Sequence, residues 1–335
     1  MIAVLRCLAL SLVLVVGAAL APACARAAEE AGARANAIVV TGASGEFAAD
    51  AIAELLARGV PFEQLILVTR TPEKLASYAQ AGITVRQGDF DRPESLPAAF
   101  EGGKQLLLIS TPGENAAARH AAALSAARRA GIRHVVYTSL TNPVEDNPAT
   151  PARAHRLTEE ALKKSGMAYT ILRNQRFADA LVERGAQALA AGEIVTNSGR
   201  GKWAPVARRD CAAAAAVVLT TGGHEGKIYD ITGPDLINER DFAELLGDIA
   251  RRPVRVLEVS DTAYMASLLQ AGLPKPEILE RASFGVAIRD NYLNIKSDTL
   301  EILIGRKPRS VRELLETNKA RLLAAPAPSP SGPSK

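Results

Sequence analysis

Short apolar runs alternate with amphipathic stretches from residue 37 to about residue 172. Ala37–Val40, Leu65–Val68, Ile83–Arg86, Leu106–Ile109, His134–Tyr137 and Tyr169–Leu172 read as β-strands, being short and aliphatic and mostly bounded by polar or turn residues. Between them the spacing turns helical. Phe47–Arg58 puts Phe47, Ile52, Leu55 and Leu56 on one face and stops at Gly59; Pro72–Gln80, Asn115–Ala130 and Pro151–Ser165 follow the same rhythm. Strands that alternate with helices need right-handed crossovers, which build a parallel sheet with helices on both faces. Continuous apolar strands are what such a sheet requires. The expectation is an α/β fold, a doubly wound parallel Rossmann sheet over residues 36–175.

Beyond residue 175 the rhythm loosens. A helix is expected over Ala207–Thr220, a strand over Lys227–Ile231, and a helix over Asn238–Arg251 capped by Asn238. Val254–Val259 alternates like a strand, and Ser297–Ile304 and Val311–Leu323 have helical spacing. These predict a smaller C-terminal α/β substrate lobe over residues 176–323. Residues 324–335 are rich in Pro, Ser and Ala and are expected to be a disordered tail.

The N-terminus changes the picture. Arg6, the apolar run Cys7–Leu20 and the small-residue pattern Ala25-Arg26-Ala27 predict a secretory signal peptide over residues 1–27. The run is short for a membrane span. This reading implies a periplasmic or secreted protein; the alternatives are a cytoplasmic protein whose start is assigned too early, or a membrane-anchored one. Cleavage would remove Cys7 and Cys24 and leave Cys211 alone, so the mature chain would have no internal disulfide. Cys211 heads an Ala-rich run and reads as a packing residue. The 40 basic and 36 acidic residues are mixed along the chain, with no basic run of the kind that grips nucleic acid. His120, His134, His155 and His224 lack ligand spacing, so no metal site is expected. No Gly-x-Ser-x-Gly elbow of a hydrolase is present.

The chemistry concentrates at Thr41–Ala48, TGASGEFA. Its pattern is Gly42-x-x-Gly45-x-x-Ala48, set between a strand and a helix. Gly42 permits the tight turn, Gly45 lets backbone approach a pyrophosphate, and Ala48 keeps helix and strand close. Free N–H groups at the helix start favour the phosphate charge. The second strand ends in Val68-Thr69-Arg70-Thr71, with Lys74 a turn further on, where an acidic residue would bind the adenine ribose hydroxyls. Arg70 is suited to a 2′-phosphate, and Ser44 adds a hydroxyl. The expected cofactor is NADPH.

These segments resemble the NmrA-like group of atypical short-chain dehydrogenases/reductases, and within it the bacterial NAD(P)H:quinone oxidoreductases. The resemblance rests on TGASGEF at 41–47, VTRTPEK at 68–74, GITVRQGDF at 82–90, LLLIST at 106–111, YTSL at 137–140, SGMAYTILRN at 165–174, GHEGKIYDITG at 223–233 and LIGRKPRSVRELL at 303–315. It implies that Gly42, Ala43, Ser44, Gly45, Glu46 and Phe47 line the pyrophosphate and that Arg70 meets the adenosine phosphate. It implies that Asp89 lies near adenine and that Ser110 and Thr111 lie along the nicotinamide. Arg173, Asn174 and Gln175 would border the nicotinamide and substrate cleft. Asp89 also reads simply as a turn residue, and Asn174 as a tie for its loop.

The Tyr and Lys four residues apart that many short-chain reductases use are missing. Residues 151–160 contain neither, and Tyr137 is followed four residues later by Thr141. Ordinary alcohol or ketone chemistry is therefore not expected. Hydride transfer to a quinone asks mainly that two rings be held together. The expected partner is a small-molecule acceptor, a quinone. No catalytic residue is identified; His155 is a weak candidate for proton donor, and also reads as a helix-surface histidine. Relatives carry Thr-Glu-Lys where this chain has Thr158-Glu159-Glu160. The alternative function is a non-catalytic NADP(H)-sensing protein, and a third is reduction of another conjugated acceptor, such as an azo or triphenylmethane dye.

Overall fold

The computed structural model describes residues 36–324. The leader segment and residues 325–335 of the tail lie outside them. Seven parallel strands form the main sheet. They are β1 (Ile38–Val40), β2 (Leu65–Thr69), β3 (Thr84–Gln87), β4 (Gln105–Leu108), β5 (His134–Leu140), β6 (Ala168–Asn174) and, after an intervening β7 (Glu193–Thr196), β8 (Lys227–Ile231). The spatial order is β3-β2-β1-β4-β5-β6-β8. The chain thus winds outward from β1 in one direction, then crosses to β4 and winds in the other. The reversal beside β1 opens a crevice at the carboxyl ends of the strands, the place where open α/β sheets bind ligands.

The helices are α1 (Glu46–Ala57), α2 (Ala76–Gln80), α3 (Leu96–Phe100), α4 (Ala116–Arg129), α5 (Ala152–Lys163), α6 (Ala180–Ala191), α7 (Arg208–Thr220), α8 (Glu239–Ala250), α9 (Asp261–Gln270), α10 (Lys275–Arg289), α11 (Thr299–Ile304), α12 (Val311–Thr317) and α13 (Lys319–Leu323). One face of the sheet is covered by α1, α7 and α11 through Ile52, Leu55, Ala212, Ala215 and Leu300. The other is covered by α3, α4 and α5 through Leu96, Phe100, Leu124 and Leu162. Burial on both faces is why β1, β2 and β5 are buried along their whole length.

The lobe expected over 176–323 is interrupted twice. Strand β8 joins the main sheet beside β6, and α7 and α11 pack on that sheet. The reason is compositional. The Ala-rich α7 is buried nearly throughout, and its small side chains let it lie directly against α1. What is left forms the lobe: α6, α8, α9, α10, α12, α13 and the two-stranded parallel pair of β7 with β9 (Arg255–Glu258). Its core is Phe242, Leu246, Trp203, Phe284 and Leu315. Helix α8 starts in a capping box, in which the Asn238 side chain accepts the Asp241 N–H and Asp241 accepts the Asn238 N–H. The helical pattern over Val311–Leu323 breaks at Asn318 into α12 and α13. Cys211 is fully buried in the contact between α7 and the sheet, as a packing residue would be.

Helices α1 and α7 are joined by ion pairs as well as by packing, and the start of α7 is tied to Asp179, just ahead of the lobe helix α6. The Arg208 guanidinium meets Asp50 at 3.0 Å and also Glu46, both on α1, and its backbone N–H donates to Asp179 Oδ2 at 2.8 Å. Partly exposed pairs of this kind are worth about 0–1 kcal/mol each. Burying one Leu or Ile contributes about 1.5–3 kcal/mol. The apolar contact between the two helices therefore supplies most of the stability.

Close backbone approach fixes the entry to the lobe. A Cβ on Gly233 would lie 1.8 Å from the Pro205 carbonyl oxygen, whereas one on Gly222 would meet nothing within 4 Å. Gly233→Ala is expected to lower stability by about 2 kcal/mol or more, and Gly222→Ala to be close to neutral. Urea midpoints check this; equal midpoints for the two variants would show that the 205–233 approach is not a tight constraint.

Candidate active site at the carboxyl ends of the strands

The glycine turn is held from beneath. The Thr41 N–H and hydroxyl both donate to the Leu107 carbonyl, and Thr41 Oγ1 accepts the Ile109 N–H at 3.0 Å. The Ala43 N–H donates to Val68 O at 3.0 Å and the Gly45 N–H to Gly42 O at 2.9 Å. Gly42 has φ +59°, the left-handed region that glycine tolerates best. A Cβ on Gly45 would lie 3.2 Å from Gly42 O. Helix α1 then begins at Glu46 with no side-chain cap. The N–H groups of its first turn have no intrahelical acceptor and are open to an anion. This cradle fits a pyrophosphate.

The residues read as lining the pyrophosphate divide in two. Gly42, Ala43, Ser44 and Gly45 form the turn itself. The Glu46 side chain instead reaches back to Arg208, which sets its negative charge in an ion pair at the mouth of the phosphate cradle. The Phe47 ring is buried and stacks on Phe177, with centroids 6.0 Å apart, joining the turn to the segment after β6. Ser44 Oγ lies 2.9 Å from Thr69 Oγ1, which accepts the Thr71 N–H. This shapes the end of β2, where Arg70 is exposed and makes no ion pair with any described residue. The Arg70 backbone is fixed by Gln87 Nε2, which donates to its carbonyl at 3.3 Å.

Asp89 follows β3, but its carboxylate is turned into its own loop. It accepts the Asp91 N–H at 3.0 Å and faces Arg92 at 3.4 Å. Ser110 and Thr111 follow β4 with backbones pinned: the Ser110 N–H donates to Thr138 Oγ1, and the Thr111 N–H to His120 Nε2. Since His120 Nε2 is an acceptor, the ring proton sits on Nδ1 and donates to Thr158 Oγ1 at 2.9 Å; Thr158 in turn donates to the Ala154 carbonyl at 2.8 Å. His120, of no assigned use in the sequence, thus ties the β4 loop to α5.

After β6 the three candidates do different things. Arg173 grips Glu159 with both arms, Nε to Oε1 at 2.9 Å and Nη2 to Oε2 at 2.7 Å, and this holds the guanidinium above its ordinary value. Glu159 also accepts from Ser139 at 2.8 Å and faces Lys163 at 3.5 Å. Gln175 Nε2 donates to the Leu293 carbonyl in the lobe. Asn174 Oδ1 is buried and has no hydrogen-bond partner among the described residues, so its carbonyl is available to a donor from a bound ligand. Glu160 pairs with Arg156 on its own helix at 3.0 Å.

His155 is not a solvated surface histidine. Its Nδ1 lies 2.8 Å from the Tyr137 hydroxyl, and burial lowers its pKa to about 4. Tyr137 is fully buried, which raises its own pKa. The pair is a neutral phenol against a neutral imidazole. Tyr137, which lacks a lysine partner in sequence, has a histidine partner in space. The sequence signal for Glu159 was the pattern of α5: Ala152, Glu159 and Leu162 are buried together, so a carboxylate stands where an apolar side chain is expected.

Burial lowers His120 as well, to about 4, with the nearby His155 adding to the effect. Between pH 4 and the ordinary histidine value the unfolded chain therefore binds more protons than the folded one. Their contribution to stability is complete above about pH 6.5 and is lost as pH falls toward 4, at most about 3 kcal/mol for each ring. Urea midpoints at pH 7 and pH 4.5 are expected to differ more in the wild type than in His120→Gln. Equal differences would contradict this account of the cluster.

Comparison with known proteins agrees with this geometry. Residues 42–222 match a family described as NAD(P)H-binding. Quinone oxidoreductase 2 of Escherichia coli (strain K12) is 34% identical over 278 residues, which cover 82% of this chain and 96% of that protein. The solved structure of the Citrobacter sp. triphenylmethane reductase complexed with NADP(H) superposes with a TM-score of 0.79 at 34% identity, covering 84% of this chain and 99% of that one. The NADPH-dependent quinone oxidoreductase of Escherichia coli complexed with NADPH gives 0.80 at 33% identity, with the same two coverages. With its glycine turn, strand order and open helix terminus in the arrangement described, the chain belongs to the NAD(P)H-binding, NmrA-like family of oxidoreductases that includes the bacterial quinone oxidoreductases and triphenylmethane reductases.

Proposed function

We propose that the protein is an NADPH-dependent reductase that delivers hydride to a small, electron-poor conjugated acceptor, a quinone. The observation that carries the reading is the pairing of an uncapped α1 terminus over the Gly42–Gly45 turn with an exposed Arg70 at the end of β2 that pairs with no described residue. The turn fits a pyrophosphate and Arg70 fits a further phosphate on the adenosine side. The cofactor, when bound, supplies a hydride from its nicotinamide. The rest is positioning by the chain. Ser110 and Thr111 form a fixed wall, held by Thr138 and His120. Asn174 presents a buried acceptor, and the stacked Phe47 and Phe177 close the side toward the lobe.

Proton supply does not need a side chain in this scheme, since a reduced quinone oxygen is basic enough to take a proton from water. His155 is a poor acid at neutral pH because burial keeps its ring neutral. Its role is to hold Tyr137 and the first turn of α5. The relatives named for quinone and for triphenylmethane dye reduction support one chemistry, hydride addition to an extended conjugated system, and the quinone is favoured because a quinone oxidoreductase stands among both the curated relatives and the solved structures.

The discriminating test is cofactor choice. Arg70→Gln is expected to raise the KM for NADPH roughly 10- to 100-fold while changing that for NADH by less than about 3-fold, the loss of one charge-assisted contact. Steady-state kinetics with a quinone panel reads both. An equal effect on the two cofactors, or NADH preferred by the wild type, would remove Arg70 from the phosphate site.

A further inference from the structure

A cation directly after β6 has no ion-pair partner among the described residues. Arg176 follows Asn174 and Gln175 directly after β6 and is half-buried. Its guanidinium lies over the Phe284 ring, 4.2 Å from the centroid. Among the described residues it makes no side-chain hydrogen bond and no ion pair, and the residue keeps part of its surface exposed. The contrast with its surroundings is sharp. Arg173 is committed to Glu159, Arg184 to Glu239 at 2.6 Å and Arg208 to Asp50. Glu280, one turn before Phe284, is exposed and makes no ion pair with Arg176.

The position is rigid. Arg176 N–H donates to Gln175 Oε1 at 3.2 Å, its carbonyl accepts the Val206 N–H at 3.1 Å, and Phe177 beside it is stacked on Phe47. Burial, with Arg184 nearby, lowers the Arg176 pKa to about 10, so the charge is present at neutral pH yet poorly solvated. A half-buried charge without a counter-ion is costly. A planar guanidinium stacked on an aromatic ring keeps its in-plane N–H donors free for a two-oxygen anion.

We infer that Arg176 is a specificity residue that selects acceptors bearing an anionic substituent, a carboxylate or sulfonate on the conjugated ring. The inference rests on the quinone-reductase reading for its kinetics but not for its binding. The anion would sit between the Arg176 guanidinium and bulk water. The apolar ring of the acceptor would lie toward Phe177, which is partly exposed.

The kinetic arm compares 1,4-naphthoquinone-2-sulfonate with neutral 1,4-naphthoquinone at saturating NADPH. The ratio of the two kcat/KM values is expected to fall roughly 10-fold or more in Arg176→Gln, with partial recovery in Arg176→Lys and a smaller ratio at high salt. An unchanged ratio overturns the inference. So does an equal rise in the KM for NADPH, which would assign the charge to a cofactor phosphate. The binding arm titrates naphthalene-2-sulfonate and 2-naphthol into protein loaded with NADP⁺. Tighter sulfonate binding that is lost in Arg176→Gln supports the site, and equal binding by wild type and variant overturns it. If the wild type oxidises NADPH with no quinone, the function proposed above fails, and the binding arm still decides the role of Arg176.

Discussion

A carboxylate buried in a Rossmann fold must be paired, and the pairing of Glu159 organises the cleft. Its two oxygens take both arms of Arg173 and the hydroxyl of Ser139. Those three residues come from α5, β6 and β5. The group therefore locks the helix to the ends of two neighbouring strands at the level where ligands bind. Removing one partner of such a pair costs about 3–5 kcal/mol, because the other charge is left buried. Beside it, His120 ties the β4 loop to Thr158, and Tyr137 meets His155. The helix that carries a Tyr–Lys pair in other reductases is here a structural brace.

That brace suits a reaction that asks for alignment more than for an acid. The walls of the crevice are backbone and small side chains, each fixed by a neighbour: Thr41 under the turn, Thr138 under Ser110, His120 under Thr111. Neutral histidines suit this role, since a fixed tautomer offers one donor and one acceptor in known directions. Hydride transfer to a conjugated acceptor gains most from proximity and alignment, which rigid walls supply.

The strand–helix rhythm, the glycine turn and the β2 terminus were legible in the sequence because each depends on a few adjacent residues. The burial of β1 and β2 follows from aliphatic runs in which the only polar residue is the terminal Thr69 of β2. The lobe was harder to read. Helices α9 and α10 have no long, clean apolar stripe, and β8 and α7 return to the main sheet through contacts far apart in sequence. The site was readable where backbone makes it, at Gly42–Gly45, and obscure where side chains meet across the fold. Glu46 and Asp89 sit in the expected segments, but their carboxylates are turned away, Glu46 by the sequence-distant Arg208 and Asp89 by its own Asp91–Arg92 turn. Tyr137 with His155 and Arg173 with Glu159 are pairs that only the folding of α5 onto β5 and β6 reveals.

The central claim is that the Gly42–Gly45 turn and the open start of α1 form the cofactor phosphate site. Calorimetric titration of NADPH into the wild type and Gly45→Val tests it most directly, since a side chain at residue 45 occupies the cradle and crowds Gly42 O. The account predicts one site per chain in the wild type and at least a 100-fold weaker affinity in a variant whose circular dichroism is unchanged. Undiminished binding by that folded variant would contradict it.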